Sequence, residues 1–249
     1  METVQLLSFY AVLFLLTHTV SSLIQWVDRR SPISETDLGI SVALNHDGTK
    51  AVIGAPASSI VFPNAGRIMV TQWNGTLWSE LGNITHSPAH NLDRMGYSVA
   101  INSLGTVAAG GAPYYTNGTF LSCGIVFVFE LTTDWVLKGA PLSGPEAYML
   151  CGSSIALDSS GDVLAVGCPG YNGYQGLVYM YAYNTNNWNL FETLVTSSPN
   201  SYFGYSVALN SAGTRVVIGA PFYSLTGQDH GMVVIYDFYS LSVVADMYF

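Results

Sequence analysis

Phe203 to Pro221 reads FGYSVALNSAGTRVVIGAP, and the same pattern is written three more times upstream. The other copies are LGISVALNHDGTKAVIGAP from Leu38, MGYSVAINSLGTVAAGGAP from Met95 and CGSSIALDSSGDVLAVGCP from Cys151. In every copy an opening glycine (Gly39, Gly96, Gly152, Gly204) is followed nine residues later by a turn glycine (Gly48, Gly105, Gly161, Gly213). No insertion or deletion falls between the two. Spacings of 57, 56 and 52 between opening glycines describe an array of rigid units.

Each unit opens as a tight hairpin. Bulky residues alternate at Val42 and Leu44, Val99 and Ile101, Ile155 and Leu157, Val207 and Leu209, with Ala43, Ala100, Ala156 and Ala208 on the other face. A strand apolar on both faces is buried on both sides. The turn glycines supply positive φ, and the return strands end at a Gly-x-Pro whose proline has no N–H for a ladder. Downstream, Gly66, Gly124, Gly176 and Gly231 each precede a third apolar run. A fourth strand is expected around Trp78, Trp135 and Trp188, with Val243 in the tryptophan's place in the last copy. Four antiparallel strands in ~50 residues are the content of a propeller blade. The fold class is therefore all-β, a β-propeller-like array of four four-stranded antiparallel blades, closed as a small ring or open as an arc.

Residues 23–249 form this domain, with repeats at about 38–94, 95–150, 151–202 and 203–249. Residues 1–22 read as a signal peptide: Leu6 to Leu16 is apolar except for Ser8, too short to span a bilayer, and Ser21 and Ser22 suit cleavage. A secreted, extracellular or lumenal product without a membrane span is expected. Without Glu2 the chain keeps 15 acidic and 7 basic side chains, a net charge of −8, which argues against nucleic acid as partner. Sequons at Asn74, Asn83 and Asn117 suit a secreted glycoprotein.

With these residues in view, the chain resembles the FG-GAP repeats of the integrin α-subunit β-propeller. It is closer still to related secreted proteins with a W-N-G-x-x-W element, matched by Trp73-Asn74-Gly75-Thr76-Leu77-Trp78. The resemblance covers residues 38–249 and implies a propeller with a role in cell adhesion. Integrins close seven repeats, whereas four stand here. Trp26 lies 13 residues before Gly39, so a strand there either closes the ring or is left over, depending on whether Leu241 to Phe249 fills the last blade. Integrin-type repeats often hold calcium between their first two strands. The turns here carry too few carboxylates for that, so no metal and no cofactor are expected.

No catalytic constellation stands out, and the chain is read as a non-enzyme. His86 and His90 are expected to be solvated loop histidines, since Pro88 prevents a helix that would pair them. Loop lengths direct attention elsewhere: the 1–2 turns are nearly fixed, whereas the 2–3 and 4–1 connections on the opposite face vary, as recognition loops do. Phe62, Tyr114, Tyr115, Tyr171, Tyr174, Phe222 and Tyr223 on those loops are the candidate ligand contacts, for a protein or glycan. Two alternatives stand beside this reading: a structural surface protein that self-associates through open blade edges, and a non-catalytic accessory module of a hydrolase.

Three cysteines remain. In a hairpin turning at Ser159-Ser160, Cys151 falls opposite Cys168 on the neighbouring strand, and both are replacements confined to one repeat. A Cys151–Cys168 disulfide is expected, at Cα atoms about 4.5 to 5.5 Å apart. Cys123 is left as a buried thiol or a handle for an intermolecular bridge.

Overall fold

In the computed structural model Ser34–Phe249 forms one compact unit. The structure describes residues 38–224 and 230–238 and the backbone of Ser242–Tyr248. The expected signal peptide and Trp26 lie outside the described residues.

Four antiparallel sheets follow one another along the chain. Blade 1 comprises β1 (Val42–Leu44), β2 (Lys50–Ala55), β3 (Arg67–Trp73) and β4 (Trp78–Ile84), in that spatial order. Blade 2 comprises β5 (Ser98–Ile101), β6 (Val107–Ala112), β7 (Ile125–Leu131) and an outer strand broken into β8 (Trp135–Leu137) and β9 (Leu142–Ser143), both paired with β7. Pro141 sits in the break, where it has no N–H to offer the ladder. Blade 3 comprises β10 (Ser154–Leu157), β11 (Val163–Cys168), β12 (Leu177–Asn184) and β13 (Asn187–Val195), with one helical turn, α1 (Tyr171–Tyr174), between β11 and β12. Blade 4 comprises β14 (Ser206–Leu209), β15 (Arg215–Ala220), β16 (Met232–Asp237) and β17 (Ser242–Tyr248). Val243 pairs with Tyr236, two steps further along the ladder than the position that tryptophan holds in the other blades.

The hairpins form for a local reason that the repeat spells out. At each turn an Asn or Asp side chain replaces the missing ladder. Asn45 Oδ1 accepts from the Lys50 N–H at 2.8 Å, and Asn102 Oδ1 from Thr106 and Val107 at 2.8 and 2.9 Å. Asp158 Oδ1 accepts from Asp162 and Val163 at 2.9 Å each, and Asn210 Oδ1 from Thr214 and Arg215 at 2.8 and 2.9 Å. The turn glycines all have positive φ, 65 to 79°.

Blades stack face to face, with the bulky side of each against the small side of the one before. Val52, Ile68 and Val70 of blade 1 meet Phe127, Phe129, Val99 and Ile101 of blade 2. Ala100, Ala109 and Val128 meet Ile155, Leu164 and Val166, and Ala165, Val178 and Met180 meet Ile218, Val216 and Val234. Three further contacts recur at every junction. Ser41, Ser98 and Ser154 each donate a hydroxyl to the carbonyl of the next opening glycine (Gly96, Gly152, Gly204) at 2.7 Å. The hairpin turns are chained by His46 N–H to Ser103 O, Ser103 N–H to Ser159 O and Ser159 N–H to Ser211 O. Finally, Gly54, Gly111 and Gly167 leave no room for a Cβ, which would lie 2.0 to 2.1 Å from that same glycine carbonyl.

Among the described residues the four blades do not close on themselves. Val42 and Leu44 of β1 remain 69% and 63% exposed, although their counterpart Ile155 is buried at 7%. Ser206, Ala208 and Val217 on the far face of blade 4 are exposed as well. Blade 4 takes its fourth strand from Ser242–Tyr248.

The Cys151–Cys168 bridge is present, with Cα atoms 4.0 Å apart, but not for the reason given by the hairpin count. Ser154 pairs with Gly167 and Ile155 with Val166, so the turn is centred one residue later than Ser159-Ser160 and Cys151 lies beyond the ladder. Gly152, at φ 85°, turns the chain across the end of β11, where its N–H bonds the Gly167 carbonyl at 3.0 Å and brings Cys151 over Cys168. Cys123 is a buried thiol that donates to the Tyr115 carbonyl at 3.4 Å.

Candidate functional site

The 2–3 and 4–1 connections meet on one side of the arc and are laced together in the same way at each junction. Leu92, Arg94 and Met95 donate their N–H groups to the carbonyls of Pro63, Asn64 and Ala65. Tyr148, Leu150 and Cys151 bond Leu121, Ser122 and Cys123, and Tyr202 and Phe203 bond Tyr174 and Gln175. The lacing requires left-handed backbone at matching positions. Leu92, Tyr148 and Asn200 have φ of 70, 62 and 54°, and Arg94, Leu150 and Tyr202 have 58, 56 and 54°. Non-glycine residues in this region carry strain, here held by the hydrogen bonds across to the neighbouring loop. The residue between each pair (Asp93, Met149, Ser201) is turned inward and buried, while Leu92, Arg94, Tyr148 and Asn200 are turned out to solvent.

Two groupings stand on this frame. Around the first junction the Arg94 guanidinium lies 5.2 Å above the Tyr114 ring, and Tyr97 meets the same ring edge-on at 6.1 Å. Asn91, Leu92, Thr116 and Ser122 complete a shallow cleft of about 340 Å³ there. Burial, with smaller contributions from Tyr114 and Tyr205, pushes the Tyr97 hydroxyl above its usual pKa, so it stands beside Tyr114 as a neutral group. At the third junction Tyr174 and Tyr202 stack at 4.7 Å with planes 17° apart, and Phe222 meets Tyr202 edge-on at 4.9 Å. Ile60, Val61, Phe62, Phe120 and Leu121 extend the exposed apolar rim along the same loops.

Of the residues singled out by sequence, Phe62, Tyr114, Tyr174 and Phe222 are exposed on this side. Tyr171 and Tyr223 are half-buried, packed against the cores of blades 3 and 4. Tyr115 is a correction: at 7% exposure it lies between His86, His90 and the core, and its carbonyl accepts from Gly124 and Cys123, so no ligand reaches it. His86 is a second correction. It is buried, with Nε2 2.9 Å from Asp93 Oδ2, and that carboxylate also accepts the His90 N–H at 2.6 Å. Pro88 does exclude a helix, but the loop folds back and Asp93, the inward residue of the left-handed pair, draws His86 inside. His90 alone stays exposed. Among the described residues no group of three or more His, Cys, Asp or Glu side chains is placed to hold a metal. Asn74, Asn83 and Asn117 are all exposed.

Leu92 and Arg94, exposed on the same loops, are members of the site that the sequence reading did not single out. A signal was available: aligning backward from Gly96, Gly152 and Gly204 puts Leu92 in a column with Tyr148 and Asn200, and Arg94 in a column with Leu150 and Tyr202.

No protein-family model and no curated protein matches the chain. Among solved structures it is similar to hydrazine synthase of Kuenenia stuttgartiensis, with a TM-score of 0.56 and 14% identity over 88% of this chain and 52% of that one. The chain thus spans about half the length of that structure, and at this identity the likeness concerns the fold.

Proposed function

We propose that this chain is an FG-GAP-type blade array that binds a partner outside the cell through its long-loop side, without chemistry of its own. The four in-register repeats and the W-N-G-x-x-W element support the family reading, and the signal-like N-terminus and exposed sequons support secretion. The observation that carries the binding reading is the pair of aromatic groupings on laced loops. Tyr114 with Arg94, and Tyr174 with Tyr202 and Phe222, offer large contact area on a backbone already fixed by hydrogen bonds, so little ordering cost remains to be met on binding. Exposed aliphatic residues beside them (Ile60, Val61, Leu92, Leu121) favour a protein over a sugar, since contiguous apolar patches mark protein contacts.

The test is a screen of the secreted chain against arrayed cell-surface ectodomains and, in parallel, arrayed glycans. Binding should be lost on joint substitution of Tyr114, Arg94, Tyr174 and Phe222 by Ala with the melting curve unchanged. A hit whose affinity is indifferent to these four changes would reject the assignment of this side.

A further inference from the structure

Taking the long-loop side as the binding face, we propose that the cleft at the first junction receives one carboxylate of the partner protein, an Asp or Glu side chain held by the Arg94 guanidinium.

Arg94 differs from the other described cations in what its head group meets. Lys138 and Arg215 reach carboxylates, those of Asp162 and Asp237, at 2.6 Å each. Lys50 bonds the carbonyls of Leu104 and Gly105, and Arg67 is buried at 2% exposure. Arg94 is exposed and lies over the Tyr114 ring, and its side chain makes no hydrogen bond or ion pair among the described residues. A π face attracts a cation without occupying its N–H donors, so the planar fork of the guanidinium stays available for a bidentate oxyanion. Nor does the loop lacing call for a charge here. Leu150 and Tyr202 hold the same place in the next two junctions, with φ of 56 and 54° against 58° for Arg94.

The surroundings suit one anion. In a chain with 16 acidic and 7 basic side chains, the described lining of this cleft contains no Asp or Glu. Asp93 precedes Arg94 directly, yet left-handed backbone on either side turns it inward, where its carboxylate meets His86 Nε2 at 2.9 Å and accepts the His90 N–H at 2.6 Å. The acid nearest in sequence is thus kept off the guanidinium. Thr116 Oγ1 accepts from the Ser122 N–H at 3.2 Å, which leaves the threonine O–H as a second donor for an anion in the cleft.

Two features favour a protein carboxylate over an acidic sugar. The rim is apolar: Leu92 lines the cleft, and Phe120 and Leu121 stand exposed just before Ser122. An acid flanked by apolar side chains would be desolvated together with that rim, which strengthens a charge-assisted pair, whereas sugar hydroxyls would face it without partners. Net charge sets the number. At −9 the chain repels a broadly acidic surface, so a lone cation selects a single carboxylate.

Nuclear magnetic resonance of the full secreted chain, following the arginine Nε–H signals, tests this with three probes: a capped Leu-Glu-Leu peptide, its Leu-Gln-Leu isostere and sialyllactose. The Glu peptide should shift the Arg94 signal saturably at millimolar concentration and bind about tenfold more tightly than the Gln peptide. Arg94→Gln should erase that preference with the melting curve unchanged, and Arg94→Lys should keep part of it, since the charge remains and the fork is lost. If Arg94→Gln fails to fold, Arg94→Leu, which copies the next junction, takes its place. No shift of the Arg94 signal up to about 10 mM Glu peptide, where even weak binding is visible, would overturn the proposal. Equal affinity for the two peptides, a preference that survives Arg94→Gln, or a response to sialyllactose equal to that of the Glu peptide would do the same. The binding face is tested separately: an ectodomain whose binding is lost on Tyr174→Ala with Phe222→Ala but kept on Arg94→Gln would retain the face and reject the carboxylate.

Discussion

Reducing the Cys151–Cys168 bridge should lower stability by an amount set by the loop it closes. The two residues are 17 apart, and for a loop of that length the chain-entropy relation gives about 3 kcal/mol at 25 °C. For a domain of this size each kcal/mol is worth roughly 2 to 4 °C, so the melting temperature should fall by roughly 6 to 12 °C. Two perturbations separate the covalent link from the packing of its atoms. Reductant leaves both buried thiols in place, whereas Cys151→Ala with Cys168→Ala removes the sulfurs as well. The second change at Cys168 copies Ala55, Ala112 and Ala220, fully buried at the same place in the other blades, so its packing cost should be small. Cys151→Ala removes more, since Leu38, Met95 and Phe203 stand there, and should add about 1 kcal/mol. Calorimetry of the oxidised, reduced and double-variant proteins reads all three. Coincident oxidised and reduced transitions would refute the reasoning, as would a fall confined to the double variant, which would assign the whole effect to packing.

Three further outcomes follow from the blade junctions. Gly111→Ala places a methyl 2.1 Å from the Gly152 carbonyl, which is backbone and cannot step aside, and should cost about 3 kcal/mol by chemical denaturation, while Gly219→Ala should leave the protomer within about 0.5 kcal/mol. Ser98→Ala removes a buried hydroxyl from the Gly152 carbonyl and should cost about 1 to 2 kcal/mol in the same assay; no loss would show that the hydroxyl does not hold the junction. Burial, with a lesser contribution from Tyr179, pushes the Tyr181 hydroxyl up to about 12. The unfolded chain gives up that proton near pH 10, so the contribution is complete below pH 10 and is lost as pH rises toward 12, about 2 to 3 kcal/mol in all. Tyr181→Phe should flatten that part of the stability profile, and an unchanged alkaline slope would exclude Tyr181 as its source.

The strands, turns and four-fold repetition were legible because each is settled within some twenty residues. Alternating Val and Leu, an Asn or Asp that satisfies its own turn, and a glycine that supplies positive φ need no distant partner. The chain misleads where a neighbour decides. Tyr115 looks like Tyr114 in sequence, yet alternation along the loop turns one out and the other into the core beside His86. The inward turn of Asp93 depends on Leu92 and Arg94 both being left-handed, and that depends on the carbonyls of Pro63 and Asn64 from a loop some thirty residues earlier. The disulfide was found by register and explained by the wrong register, because the opening glycine bends the chain off the ladder before Cys151 is reached.

A repeated letter can also record two different requirements. Gly39, Gly96, Gly152 and Gly204 have φ of 85 to 91°, so each is needed by its own backbone, and its presence in blade 1 says nothing about a neighbour. Gly54, Gly111, Gly167 and Gly219 lie in extended strands, where any residue could stand and glycine weakens the strand. In the first three the adjoining blade's carbonyl fills the space of a Cβ. The fourth bears the same cost without that neighbour among the described residues. Strand glycines therefore report on the junction and turn glycines on the hairpin. Gly219→Ala separates the two, since it should leave the hairpin intact and change only what packs on blade 4.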